Sequence, residues 1–287
     1  MSDPTLCIYH GNCADGFSAA WAVWKKFPDI KFHEGFYGQP APYVKDEHVL
    51  MVDFSYKAPI IEEMVDEAAS VTILDHHVTA RDDLLPLLEQ EVIRGVFDMS
   101  KSGAVLAWNH FHDPEKLPEL LKYVQDRDLW QFKLPDSREI NACIFSYDYS
   151  FETWEYLEKT LATQIGRDRM VIDGNAIMRK AFKDVEELVE FSSREMVIGG
   201  HKVYVANLPY TMSSDGAQIL IGDRLFCATY FDTTDHRVFS LRSHKNGANV
   251  AEIAKMYGGG GHVNAAGFQT DHYWNGDYDL PKPKGAE

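Results

Sequence analysis

Three apolar runs in the first third of this chain each stop on a side chain that can bind a cation. Leu6-Cys7-Ile8-Tyr9 stops at His10, Val49-Leu50-Met51-Val52 at Asp53, and Val71-Thr72-Ile73-Leu74 at Asp75-His76-His77. Short apolar runs bounded by polar residues read as buried strands. Helical stretches lie between them. Gly16 to Phe27 carries Phe17, Ala20, Trp21, Val23, Trp24 and Phe27 at near-helical spacing before Pro28, and Pro59 opens a helix through Ala69. Strand alternating with helix predicts a parallel sheet with right-handed crossovers, so the three strand ends share one sheet edge. Open α/β sheets receive their ligands at that edge.

The alternation continues with a strand over Val92–Phe97 ending at Asp98, then helices over Ser102–Phe111 and Leu117–Gln125. The second of these runs into Asp126-Arg127-Asp128-Leu129-Trp130. Phe151–Leu161 and Ile165–Phe191 are rich in Glu, Lys, Arg, Leu, Val and Met. They read as two helices, the longer joining two domains; composition equally allows a helical part of the first domain. From Met196 short strands return at Val203–Ala206, Leu225–Phe231 and Val238–Leu241, with helices near Ala217–Ile221 and over Asn249–Tyr257. The last helix runs into Gly258-Gly259-Gly260-Gly261-His262 and a small-residue strand from Ala265. From about Tyr273 the chain is rich in Gly, Pro and charge, and a loose tail is expected. The expected fold is α/β: an N-terminal parallel-sheet domain over 1–150, a helical linker over 151–194, and a smaller C-terminal α/β domain over 195–287.

The net charge of −16 argues against binding long duplex nucleic acid, which needs a broad basic surface. It does not exclude a small phosphorylated substrate, because bound divalent cations reverse the field inside a pocket. No apolar run reaches the roughly 18–20 residues of a membrane span, so no membrane partner is expected. Met1-Ser2-Asp3-Pro4-Thr5 lacks the basic and apolar regions of a signal peptide, and a cytoplasmic protein is expected. Cys7, Cys13, Cys143 and Cys227 form no C-x-x-C pair and are expected to be reduced and mostly buried. Cys13 stands apart, inside a polar motif.

The chemistry-bearing residues are His10, Asp15, Asp53, Asp75, His76, His77, Asp126 and Asp128. Carboxylates held close together repel one another, and Arg127 is the main nearby cation. Divalent metal ions resolve the repulsion. A mixed oxygen and imidazole set suits Mn²⁺, Fe²⁺ or Zn²⁺ better than Mg²⁺. Two such ions about 3.5–4 Å apart activate a water and stabilise both oxygens of an in-line displacement at phosphorus. Taken singly, each residue is more readily a cap, a turn residue or a satisfied polar group than a ligand; four sites on one sheet edge together favour the metal. Asp15 before Gly16 could cap a helix, and Asp126 or Asp128 could do so or pair with Arg127. The glycine run exceeds what a helix C-cap needs. Its bare backbone would let a ligand approach and present amides to an anion.

The chain resembles the DHH/DHHA1 phosphoesterase superfamily. The resemblance rests on five motifs in order: His10-Gly11-Asn12-Cys13-Ala14-Asp15-Gly16-Phe17, Asp53, Asp75-His76-His77, Asp126, and Gly258 through Phe268. It is most similar to the branch of oligoribonucleases (nanoRNases) and cyclic-dinucleotide phosphodiesterases. The resemblance implies a DHH catalytic domain followed by a DHHA1 substrate-binding domain. It implies that His10 binds one metal and Asp15 the other, that Asp53 bridges both, and that His76 and Asp126 complete the second site. His77 would face the scissile phosphate, and Asp75 would orient His76. Arg242, Gly259, Gly260, Gly261 and His262 would hold a substrate phosphate or terminal nucleotide, a task that suits the guanidinium fork. The implied cofactor is a pair of Mn²⁺ ions, with Co²⁺, Fe²⁺ or Mg²⁺ as substitutes. Many relatives carry a further aspartate in the first motif, and Asn12 is taken to stand at its place.

The implied activity is exonuclease-type hydrolysis of short oligonucleotides, RNA or single-stranded DNA, through a metal-activated water. The enzymatic alternative is a phosphodiesterase of cyclic nucleotides or cyclic dinucleotides, or a phosphatase of 3′-phosphoadenosine 5′-phosphate. The non-enzymatic alternative, which Asn12 favours, is a nucleotide-binding regulatory protein. The expected partner is a short oligonucleotide or small nucleotide that spans both domains; a homodimer is left open.

Overall fold

The computed structural model describes residues 3–277. The chain divides into one compact unit through Met178 and a second from Arg179. The first unit contains β1 (Leu6–His10), α1 (Ala14–Trp24), β2 (Lys31–Gly35), β3 (His48–Val52), α2 (Ala58–Glu67), β4 (Ser70–Asp75), α3 (Val78–Glu89) and β5 (Arg94–Phe97). Helices α4 (Gly103–Phe111), α5 (Glu119–Asp128), α6 (Ser137–Ile144) and α7 (Phe151–Leu161) follow. The division falls within α8 (Gln164–Ser192).

The five strands form one wholly parallel sheet in the order β2-β1-β3-β4-β5. The chain leaves β1 toward β2 on one side and returns to β3 on the other. The β1/β3 boundary is therefore the topological switch point, where the loops part and leave a crevice beyond the strand ends. Tyr9 pairs with Val52 and Val52 with Leu74, so His10, Asp53 and Asp75 emerge at one level.

The central strands β1, β3 and β4 are largely apolar because both faces are covered. Alternate residues point to opposite faces. Cys7, Tyr9, Leu50, Val52 and Leu74 enter a core with Trp21, Trp108 and Trp154. Leu6, Ile8, Val49, Met51, Val71 and Ile73 enter another with Ile61, Met64, Leu84 and Leu87. Phe17 on α1 stacks on Phe151, and the Trp154 indole N–H donates to Ser18 Oγ at 2.8 Å. These contacts anchor α7 against α1.

The second unit contains β6 (Arg194–Ile198), β7 (His201–Asn207), α9 (Ser213–Ile221), β8 (Cys227–Asp232), β9 (Arg237–Arg242), α10 (Val250–Lys255), β10 (Gly260–His262) and β11 (Ala265–Thr270). Its six strands run in the order β10-β11-β9-β8-β7-β6; β7 and β8 pair parallel and the other neighbours antiparallel. The glycine run turns the chain from α10 into β10. A Cβ on Gly259 would meet the Gly267 carbonyl oxygen at 2.1 Å, and Gly261 has φ 139° beside the Ala265 oxygen. Close hairpin packing thus accounts for both residues.

The expected loose tail from Tyr273 is corrected over residues 273–277. Tyr273 is exposed, but Trp274 packs edge-on against Phe239, Tyr257 and Phe268. The Asp277 backbone N–H donates to the Val197 oxygen at 2.9 Å, and its carboxylate accepts from Gly200 N–H at 2.8 Å. Aromatic burial outweighs the local Gly and charge content. The rest of that expectation, 278–287, lies outside the described residues. No helix among the described residues is long and apolar enough to cross a membrane.

Candidate metal centre

Asp53 leaves β3 in the left-handed backbone region, φ 54°, which aspartate tolerates better than most residues. Its N–H donates to the Leu74 oxygen at 3.0 Å, and this bond holds the residue against the end of β4. Helix α4 begins directly over it. A Cβ on Gly103 would fall 2.4 Å from the Asp53 Cβ and 2.8 Å from Oδ1, so only glycine fits there without displacing the carboxylate. Gly103 is a site-shaping residue that motif reading missed; its one sequence signal is the Ser102-Gly103 helix start.

Asp15 is buried on the first turn of α1. Its Oδ2 accepts from Gly103 N–H at 2.6 Å and its Oδ1 from Ala104 N–H at 3.1 Å. The carboxylate therefore caps α4 rather than its own helix, where the positive end of the helix dipole favours it.

His76 sits among three carboxylates. Its Nε2 is 3.1 Å from Asp53 Oδ1, 3.6 Å from Asp128 Oδ2 and 3.8 Å from Asp15 Oδ2. On the far side of Asp53, Oδ2 lies 3.6 Å from His10 Nδ1 and 3.6 Å from Cys13 Sγ. Asn12, which precedes that cysteine, has a left-handed backbone with φ 53°.

Two sequence expectations meet a different geometry. The Asp126 carboxylate is not among these groups: it accepts from Lys133 N–H at 2.9 Å and Leu134 N–H at 3.1 Å, closing the turn after α5. Asp128 approaches His76 instead. Residues two apart on a helix point about 200° apart, so only one of the pair can face the strand ends. Asp75, expected to orient His76, accepts from His77 Nδ1 at 2.7 Å; its bond to His76, also 2.7 Å, comes from the backbone N–H.

Three groups of ligand atoms result, each with all its atoms within 4.8 Å of one another: Asp53, Asp75, His76 and His77; His10, Cys13 and Asp53; and Asp15, His76 and Asp128. Asp53 belongs to two groups and so does His76. The electrostatics follow from this crowding. Burial disfavours a charged His76 ring, yet the Asp53 hydrogen bond and the charges of Asp53, Asp15 and Asp128 push its pKa up to about 10. Burial and the charges of Asp53 and Asp128 raise Asp15 well above the usual carboxylate range. Burial would raise Asp53 too, but the hydrogen bonds of His10 and His76 win and hold it low. The cluster thus favours added positive charge beside its carboxylates. A divalent cation supplies the same compensation through the same nitrogen and oxygen donors. The donor set and its spacing fit a pair of metal ions.

In the second unit, Arg242 ends β9 and donates to Ser214 Oγ at 3.2 Å and to the Leu241 oxygen at 2.9 Å. Arg242 and His262 both pair with Ala265 from opposite sides, which sets them at one level of the sheet; Gly260 and Gly261 precede His262 on β10.

No protein-family model matches the sequence. The chain is 28% identical over 291 residues to the uncharacterized protein R106 of Acanthamoeba polyphaga mimivirus, across 91% of this chain. It spans 66% of that relative's length. Among solved structures it is similar to the DHH domain of a member of the s1p family of ribosomal proteins. That match has a TM-score of 0.53 and 15% identity, and covers 92% of this chain and 82% of the other. A pGpG-specific phosphodiesterase, PggH from Vibrio cholerae, overlaps more loosely, with a TM-score of 0.43 and 13% identity over 94% of both chains. The first of these structural likenesses defines the class: the chain has the fold of a DHH-domain protein, as its motifs implied.

Proposed function

We propose that the protein is a metal-dependent phosphoesterase that hydrolyses a phosphodiester in a short oligonucleotide. The observation that carries this reading is the sharing of Asp53. One carboxylate oxygen faces His10 and Cys13 and the other faces His76, at the switch point of a parallel sheet. A carboxylate flanked by two ligand groups suits a bridging ligand. Two divalent ions, Mn²⁺ or its substitutes Co²⁺ and Fe²⁺, would activate a water and offset charge at phosphorus.

Around them the chain's own residues divide the work. Asp53 and His10 would hold one ion; Asp53, Asp15, His76 and Asp128 would hold the other. Helix α4 fixes Asp15 through two amides, so this ligand is preorganised. Asp75 holds His77 through Nδ1 and would aim the opposite ring nitrogen toward the phosphate; that nitrogen donates only in the protonated ring, a form that burial disfavours but the charge and hydrogen bond of Asp75 favour more. Arg242 and His262 bind a terminal phosphate or nucleotide. The net charge of −16 disfavours long duplexes and supports a short substrate.

Turnover of a dinucleotide, a 20-mer and a cyclic dinucleotide in Mn²⁺ tests this reading. Preferred cleavage of the dinucleotide, abolished by Asp53→Asn, is expected. Preference for the cyclic substrate would replace oligonucleotide specificity with cyclic-dinucleotide specificity. Nucleotide binding without turnover in Mn²⁺, Co²⁺ or Mg²⁺ would overturn the enzymatic reading.

A further inference from the structure

We propose that the Cys13 thiolate is a metal ligand and makes the His10 half of the centre selective for a thiophilic divalent ion. The inference rests on the two-metal reading above and goes beyond it, because it gives the two halves different ion preferences.

Cys13 occupies the N-cap position of α1 and makes no side-chain capping bond. Ser, Thr, Asp or Asn would stabilise the helix there, so the choice of cysteine brings no advantage to the helix. The sulfur turns to the strand ends instead, 3.6 Å from the same Asp53 oxygen that lies 3.6 Å from His10 Nδ1. An ion bound tetrahedrally by N, O and S donors at about 2.0–2.3 Å spaces its ligand atoms roughly 3.3–3.8 Å apart. Both separations fall inside that window.

The other three cysteines differ. Cys7, Cys143 and Cys227 are buried, and among the described residues none joins a ligand group. Cys7 and Cys143 belong to the core of the first unit and Cys227 to that of the second.

Thiolate is a soft donor. It favours Zn²⁺, Co²⁺ and Fe²⁺ over Mg²⁺ and Mn²⁺, whereas the neighbouring group of Asp15, His76 and Asp128 offers only oxygen and imidazole. The centre is therefore asymmetric, with a thiophilic ion on the His10 side and a harder ion beside α4. Binding releases the thiol proton to solvent as the sulfur–metal bond forms.

Titration of the full chain with Co²⁺, followed by absorption spectroscopy, tests the assignment. Wild type should show the near-ultraviolet sulfur-to-cobalt charge-transfer band together with visible ligand-field bands. Cys13→Ser and Cys13→Asp should lose the charge-transfer band and keep the ligand-field bands, with circular dichroism confirming that both fold. Calorimetric titration should show Zn²⁺ affinity at the first site falling by at least roughly tenfold in Cys13→Ser. Cys13→Asp should shift the preference toward Mn²⁺. A wild-type protein that binds Co²⁺ with ligand-field bands but no sulfur band overturns this inference alone. A charge-transfer band that survives in folded Cys13→Ser does the same. Failure of wild type to bind any Co²⁺, Zn²⁺ or Mn²⁺ overturns the two-metal reading with it.

Discussion

The carboxylate of Asp75 accepts a hydrogen bond from the ring of His77 at 2.7 Å, while the neighbouring ring, His76, points to Asp53 at 3.1 Å. Consecutive histidines thus have separate carboxylate partners within one group of ligand atoms. The second Asp75 oxygen, Oδ2, is buried without a hydrogen-bond partner among the described residues. The side chain is held almost wholly by what Oδ1 accepts from His76 and His77.

The proposed roles, metal binding for His76 and phosphate contact for His77, can therefore be tested separately through Asp75. Asp75→Asn should leave Mn²⁺ affinity nearly unchanged and lower kcat by about 10–100-fold, the usual cost of releasing an oriented imidazole. Steady-state kinetics beside a calorimetric Mn²⁺ titration distinguish the two. An equal fall in both quantities would assign Asp75 to the ligand set.

Asp126 and Asp128 should behave oppositely. Asp128→Asn should weaken Mn²⁺ binding by about tenfold or more with little change in unfolding free energy. Asp126→Ala should keep the metal affinity and lose about 1.5–3 kcal/mol of stability, because two backbone N–H groups lose a charged acceptor. Burial raises the Asp126 pKa, but hydrogen bonds from Ser137, Lys133 and Leu134 lower it further, and the net shift is downward. A depressed carboxylate stabilises the fold fully above its unfolded pKa of about 3.9 and loses that contribution as pH falls through the lower folded value. Urea denaturation at neutral pH and below pH 3 should therefore show the gap between wild type and Asp126→Ala narrowing in acid.

Gly103→Ala should harm the centre without removing a ligand. The added methyl would lie 2.4 Å from Asp53 Cβ, so α4 or Asp53 must move. A loss of about 1–3 kcal/mol is expected from overpacking, with weaker Mn²⁺ binding alongside it. Thermal unfolding with and without Mn²⁺ measures both. An unchanged Mn²⁺-induced rise in Tm would show that Asp53 tolerates the displacement.

Trp274→Ala should destabilise the second unit by about 2–4 kcal/mol, since it removes the ring packed against Phe239, Tyr257 and Phe268. Urea denaturation followed by far-ultraviolet circular dichroism checks it. Wild-type stability would mean that this segment is a tail after all.

Much of the frame was legible because it depends on local pattern. Apolar runs covered on both faces announce central parallel strands, and β1, β3 and β4 carry their polar residues at the ends where the runs stop. The edge strand β2 escaped notice: Lys31-Phe32-His33-Glu34-Gly35 has one open side and no need of an apolar run. The glycine run was visible as a motif, but its hairpin contacts to Gly267 and Ala265 were not, since they depend on how β10 folds back on β11.

Local pattern specifies the central strands, the edge on which the chemistry lies and the residue types gathered there, because strand periodicity and apolar burial act over a few residues. Tertiary structure alone decided which members of each motif meet. The rotation of α5 selects Asp128 over Asp126, the exit of Asp75 from β4 pairs it with His77, and the start of α1 turns Cys13 toward Asp53. Each choice depends on helix phase or rotamer within a packed neighbourhood. A step of one or two residues there reverses the direction of a side chain, and a linear motif does not specify that step.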